Sequence, residues 1–133
     1  MWKKSWFAVV FLLLAFLFPT QAQAEEAAAA RSYALITYLD ATLDIWGDTA
    51  VCIGEIETSE TAEISLTVEL QEYDGRWETV AEWQETKTGV WLRVSGEYDD
   101  LTPDGIYQVR VTADVSTADE EESDTVYSNI EIY

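Results

Sequence analysis

The sequence predicts an all-β fold, a seven-stranded antiparallel β-sandwich that has no disulfide. Three observations carry the prediction. From Tyr33 onward Tyr, Val, Ile, Thr and Trp are frequent, and apolar residues alternate with polar ones at the period of a half-buried strand. Polar or glycine-bearing links separate these segments at short intervals, and no segment has a convincing helical period. Cys52 is the only cysteine, so no intramolecular bridge can form.

The N-terminus is set apart from this fold. Lys3 and Lys4 precede an unbroken apolar run over 7–18, and Ala22-Gln23-Ala24 follows with the small-x-small form of a signal-peptidase site. The expected division is a signal peptide over 1–24, a flexible lead-in over 25–32 and a β-sandwich domain over 33–133. Cleavage after Ala24 is favoured over cleavage at Thr20-Gln21-Ala22. As a helix the apolar run spans roughly 20 Å, short of a hydrocarbon core of about 30 Å, so secretion is expected rather than retention in a membrane. No cysteine stands directly after the run, so a lipid anchor there is not expected. The leader holds all four Phe and two of the six Trp, and losing its two lysines moves the net charge from −19 to −21.

The mature chain, about 109 residues, suffices for one core. Its first strand is placed at 34–46, with Leu39, Ala41, Leu43 and Ile45 on one face. Gly47-Asp48 signals a turn. A second strand over 49–57 has an ambiguous face, because Ala50, Cys52 and Ile56 compete with Val51 and Ile53. Residues 58–61 read as a polar loop. The third strand, 62–72, alternates most cleanly: Ile64, Leu66, Val68 and Leu70 oppose Glu63, Ser65, Thr67, Glu69 and Gln71. Asp74-Gly75 marks a short hairpin into a fourth strand at 76–86, because glycine takes positive φ at little cost. A fifth strand covers 88–97, with Val90, Leu92 and Val94 inward. The sixth, 106–115, turns Tyr107, Val109, Val111, Ala113 and Val115 inward. An acidic loop over 116–124 leads to a last strand at 125–133, with Val126, Ile130 and Ile132 expected in the core.

Leu101-x-Pro103-x-Gly105-x-Tyr107, followed by alternating apolar residues, resembles the tyrosine corner of fibronectin type III domains. The likeness extends back to Leu70-Gln71-Glu72-Tyr73-Asp74-Gly75-Arg76-Trp77 and forward to Tyr127-Ser128-Asn129-Ile130, about two thirds of the mature chain. It implies a fibronectin type III-like, immunoglobulin-like sandwich in which the Tyr107 hydroxyl bonds to backbone a few residues upstream. Leu101 packs beneath it, and Pro103 and Gly105 make the turn. The usual core tryptophan of the second strand is missing from 49–57. Val109 stands where immunoglobulin domains carry a disulfide cysteine. The chain is also similar to small secreted β-sandwich proteins of Gram-positive bacteria, through its leader, its size and Asp74-Gly75-Arg76-Trp77.

Composition removes several chemistries. Histidine is absent, which excludes Ser–His and Cys–His nucleophile pairs and His-containing zinc sites. The acidic charge opposes nucleic acid and anionic lipid surfaces, so no nucleic-acid partner and no membrane insertion after cleavage are expected. Any two of the 26 acidic residues can be called a glycosidase pair, and a small sandwich with short loops leaves little room for a cleft. The expectation is therefore not an enzyme, with no catalytic residue. It is a secreted, non-catalytic binding or structural module whose partner is an extracellular protein or glycan. Trp91 and Arg93 form the candidate binding surface, because inward Val90, Leu92 and Val94 turn Trp91 outward. Trp46, Trp77 and Trp83 read as core and hairpin aromatics, and Cys52 as a buried, inert thiol. The second functional reading is an acidic calcium-binding extracellular protein, with Asp119, Glu120, Glu121, Glu122 and Asp124 as oxygen ligands in the loop 116–124. No other cofactor is expected.

Overall fold

The computed structural model describes residues 35–133, which fall within one compact unit, Ala34–Tyr133. The expected signal peptide and the lead-in lie outside the described residues. The described chain is all-β, and its single cysteine is free and buried. Its strands are β1 (Ile36–Trp46), β2 (Thr49–Tyr73), β3 (Trp77–Tyr98), β4 (Ile106–Ser116), β5 (Glu121–Tyr127) and β6 (Glu131–Ile132).

Among the described residues six elements stand where seven were expected, because two pairs of expected strands are continuous and the expected last strand is split into β5 and β6. The segments 49–57 and 62–72 are one strand, β2, and 76–86 and 88–97 are one strand, β3. What read as a polar loop at 58–61 is a bend inside β2. There Glu57 pairs with Trp91 and Ala62 with Gly89, so four residues on β2 face Val90 alone on β3. Surplus residues on one strand bend it, and the bend carries β2 from one half of the sheet into the other. Thr58 caps the bend by donating from Oγ1 to the Glu60 carbonyl at 2.8 Å.

The bend also exchanges β2's second neighbour. Before it, β2 lies between β1 and β3, and after it between β4 and β3. The two halves of the sheet then meet over one apolar core. Gly54 shows the closeness: a Cβ there would lie 2.7 Å from a Val68 methyl and 3.0 Å from a Val111 methyl. Ala50, Cys52 and Ile56 flank it, all fully buried, which settles the ambiguous face of that segment. Ile64, Leu66, Val68 and Leu70 of β2 and Val109, Val111 and Ala113 of β4 are equally sealed from solvent.

Three local devices fix the register. Trp46 pairs with Thr49 across Gly47-Asp48, where Gly47 has φ 60°, so only the first central residue is left-handed, as in a type II′ turn. Tyr73 pairs with Trp77 across Asp74, Gly75 and Arg76, with Gly75 at φ 74° and the two rings 5.3 Å apart. The third device breaks the final strand. Ser128 N donates to the Val109 carbonyl, and Val109 N donates to Ser128 Oγ at 2.8 Å. The hydroxyl replaces a ladder carbonyl and the register slips by one: Val126 faces Val111, but Ile132 faces Ile106. A one-residue slip turns side chains to the other face. Val126 therefore packs on the core, whereas Ile130 and Ile132, expected in the core, are 57% and 70% exposed.

Tyr107 begins the buried face of β4 and is 1% exposed. Its hydroxyl accepts from Thr102 N at 2.7 Å and donates to Glu72 Oε1 at 3.1 Å, and Leu101 packs partly buried against the core. The turn works differently from its sequence reading. Asp104, not Gly105, takes the left-handed conformation, with φ 61°. Gly105 is needed for space: a Cβ there would lie 2.7 Å from the Tyr107 ring and 2.8 Å from the Thr102 carbonyl. Tyr107→Phe keeps the ring and leaves Thr102 N without its acceptor. The expected result is a loss of about 1 kcal/mol with the fold intact. An unchanged denaturation midpoint would show that the hydroxyl bonds contribute nothing.

Candidate functional site

The outer face of the first half of the sheet is built from cross-strand rows. Tyr38 faces Glu57, which faces Trp91. Asp40 faces Glu55, which faces Arg93. Alternation turns all six away from the core, because their neighbours Leu39, Ile56 and Leu92 point inward. Trp91 is 43% exposed and Tyr38 44%. Trp91 is held in place: its indole N–H donates to Glu55 Oε1 at 3.1 Å, and the Lys87 ammonium lies over the ring, 5.7 Å from its centroid. Partial desolvation, then the carboxylates of Asp40, Glu55 and Glu57, raise the Tyr38 phenol above its ordinary value. The face thus offers two exposed aromatic rings, Trp91 held in place, in a negative field.

The acidic run is arranged for another purpose. Only residues 117–120 form the loop, since β5 begins at Glu121 and carries 121–124 in extended conformation. Alternation sends Glu121 to the side of Ser116, while Glu122 faces the core-side Val115. Glu122 is 7% exposed, and its two oxygens accept from Leu35 N at 2.9 Å and Ile36 N at 3.0 Å. It fastens the start of β1 to β5. Asp124 Oδ1 accepts from Thr125 N, and Asp119 and Glu120 donate through their backbone N–H groups to Thr117 Oγ1. Among the described residues no group of three or more carboxylate or thiol side chains is placed to share a metal ion.

Cys52 lies in the core beneath Leu43 and opposite Gly96, fully buried. Burial pushes its thiol up to about 12, which leaves it protonated and unreactive at neutral pH. Trp77 stands at the β2–β3 hairpin and Trp83 against the core, as expected. Trp46 is 73% exposed at the β1–β2 turn, and none of the four in the domain is fully buried. Trp83 packs partly buried on the core, over Gly96.

A second cluster, on the outer face of the other half, escaped the sequence reading. Gln71 and Gln108 face each other across β2 and β4, and Gln108 Nε2 donates to Gln71 Oε1 at 2.9 Å. Beside them Arg110 grips Glu69 with two bonds, at 2.7 and 2.9 Å, and Glu69 also accepts from Thr79 Oγ1 at 3.0 Å. Trp77 and Tyr127 complete a shallow open depression with Gln71, Gln108 and Arg110. Two glutamines separated by 37 residues signal nothing until β2 and β4 are known to be neighbours.

The Arg110 hydrogen bonds hold the Glu69 carboxyl below its usual range, against the opposing effect of burial. A carboxyl with a depressed folded pKa stabilises the fold fully above the unfolded value of about 4.3, and loses that contribution as pH falls through the folded value. The stability advantage of the native chain over Glu69→Gln is therefore expected to shrink steadily in urea melts taken from pH 6 down to pH 3. A constant difference would mean that the pair does not depend on the carboxylate charge.

No protein-family model matches the chain, and no curated protein matches it. Among solved structures it is similar to CsgH of R. palustris. The TM-score is 0.43 at 14% identity, covering 70% of this chain and 89% of that one. It is also similar to part of OgpA from Akkermansia muciniphila, with TM-score 0.39 at 13% identity, covering 72% of this chain and 29% of OgpA. A glycosyl hydrolase family 2 member from Bacteroides cellulosilyticus matches with TM-score 0.39 at 16% identity, over 66% of this chain and 14% of its own length. All three likenesses are distant, and none bears on what this chain binds.

Proposed function

We propose that this protein is exported through a leader over residues 1–24 and works outside the cell as a non-catalytic binding module. Its fold is read as a fibronectin type III-like sandwich, in which Leu101, Pro103, Gly105 and Tyr107 form the corner that joins its layers. The observation that carries the functional reading is Trp91, turned out of the sheet and fixed between Glu55 and Lys87. An exposed aromatic whose orientation is already set loses little conformational entropy when a partner covers it. Tyr38, Glu57 and Arg93 surround it on the same face, and their polar atoms supply direction to the contact. The partner is an extracellular protein or glycan.

The test is comparative capture. Residues 25–133 and the same chain with Trp91→Ala are immobilised and exposed to envelope and culture-medium fractions of the producing cell. The expected outcome is a component retained by the native chain and lost by the variant, with both proteins melting alike. Equal retention by both, or retention of nothing, removes the Trp91 face as the contact surface.

A further inference from the structure

We propose that the depression on the opposite outer face is a binding site for a neutral glycan, with Trp77 and Tyr127 as its walls and the Gln71–Gln108 pair as its floor. The site lies on the second half of the sheet, so it stands independently of the Trp91 face.

Its floor is unusual for an outward-facing surface. Gln71 and Gln108 project away from the core, yet they are only 4% and 8% exposed. A primary amide carries two donor hydrogens and an acceptor oxygen. The bond between the pair occupies Gln71 Oε1 and one hydrogen of Gln108 Nε2. The Gln71 amide nitrogen then remains as a donor and the Gln108 oxygen as an acceptor. Among the described residues no side-chain nitrogen or oxygen is both sealed from solvent and without a partner, so these groups remain open to solvent. A fixed donor beside a fixed acceptor is the complement of adjacent hydroxyl groups, each of which both donates and accepts.

The surroundings select the ligand further. Arg110 contributes planar N–H groups, but its charge is met by Glu69 at 2.7 Å, so the site has no unpaired cation to hold a phosphate, sulfate or carboxylate. The chain's net charge of −19 opposes polyanions from every direction. Two aromatic rings at the edges suit the apolar faces of sugar rings. Trp77 is braced by Tyr73, and Tyr127 stands 56% exposed on β5. A peptide strand is poorly matched, because the floor strands β2 and β4 have neighbours on both sides and offer no free backbone edge there. The row from β3 across β2 and β4 to β5 spans three strand spacings, about 14 Å, long enough for a short oligosaccharide rather than one ring.

The experiment is a calorimetric titration of residues 25–133 with neutral hexasaccharides of glucose, xylose, mannose and N-acetylglucosamine, alongside an oligogalacturonate as the anionic control. Saturable binding of at least one neutral probe is expected, weakened at least tenfold by Tyr127→Ala and by Trp77→Ala and unchanged by Trp46→Ala, with Trp91→Ala run to report binding at the other face. Gln108→Glu, which replaces the amide by a charge, is expected to weaken it as well. Thermal melts establish that each variant is folded, and Tyr127→Ala, on an exposed ring of the edge strand, keeps the test valid if Trp77→Ala unfolds. Absence of binding across the neutral panel overturns the proposal. So does binding that survives Tyr127→Ala, binding lost only with Trp91→Ala, or binding of the oligogalacturonate alone.

Discussion

Gly96→Ala is expected to cost about 3 kcal/mol or more, at the upper end of what overpacking a core entails. A methyl group there would lie 2.0 Å from the Trp83 ring, inside any tolerable contact distance. Gly96 stands on the part of β3 that pairs with Cys52, and Trp83 on the part that pairs with Val68. The ring therefore fills the space over the glycine between the two halves of the sheet. An alanine must expel the indole or part the two halves of the sheet. For a domain of this size the melting temperature is expected to fall by on the order of 10–20 °C, read by circular dichroism. Gly89→Ala is the control. Its new methyl would meet nothing closer than the flexible end of Lys87 at 3.7 Å, and its stability is expected to match or slightly exceed the native value. Adding Trp83→Leu to Gly96→Ala is expected to recover part of the loss, a coupling that a double-mutant cycle measures. If Gly96→Ala melts with the native chain, Trp83 does not occupy that space.

The second large effect is expected at Glu122. Its carboxylate accepts from the amides of Leu35 and Ile36, which are 1% and 9% exposed, and thereby holds the first residues of β1 against β5. Glu122→Ala leaves two amides without an acceptor at a site water reaches poorly, for an expected loss of about 2–3 kcal/mol. Glu122→Gln retains one good acceptor and is expected to lose roughly half as much. Hydrogen exchange distinguishes this from general weakening. The Leu35 and Ile36 amides are expected to lose protection before those of Leu66 or Val111. Native stability and native protection in Glu122→Ala would show that β1 is anchored by its apolar contacts alone.

Much of the fold was legible because alternation is a direct image of burial. Ile64, Leu66, Val68 and Leu70, and Tyr107 through Val115 at every second position, occupy the core as their period requires. The ambiguity over 49–57 arose because Gly54 supplies no side chain to weigh, while Val51 and Ile53 face outward. Only the closeness of Val68 and Val111 explains why that position is empty. The bend in β2 could not be told from a loop, since Thr58, Ser59, Glu60 and Thr61 have the composition of either. The slip at Ser128 depends on one hydroxyl replacing one carbonyl, and it reversed the expected burial of Ile132. Glu122 was hidden for a related reason. A carboxylate in an acidic run signals solvent, and nothing local reveals two backbone donors 86 and 87 residues earlier. Trp91 was found because its parity against Leu92 and Val94 is a local fact, although Val90, expected inward with them, is 50% exposed opposite the bend in β2. Gln71, Gln108 and Arg110 were not, because their meaning lies in the neighbouring strand.

The unbroken course of β2 and β3 through both halves has a consequence in time. One loop, Asp74-Gly75-Arg76, starts a ribbon whose pairing runs from Tyr73 and Trp77 back to Ala50 and Tyr98. Hairpin closure takes microseconds, whereas joining distant strands is slow. Zipping from that loop is expected to set the register of both halves of the sheet before β1 or β4 docks. Replacing Gly75 with a residue that resists φ 74° is expected to slow refolding of the whole domain in one phase, read by stopped-flow tryptophan fluorescence; an unchanged rate would show that folding does not start at this loop.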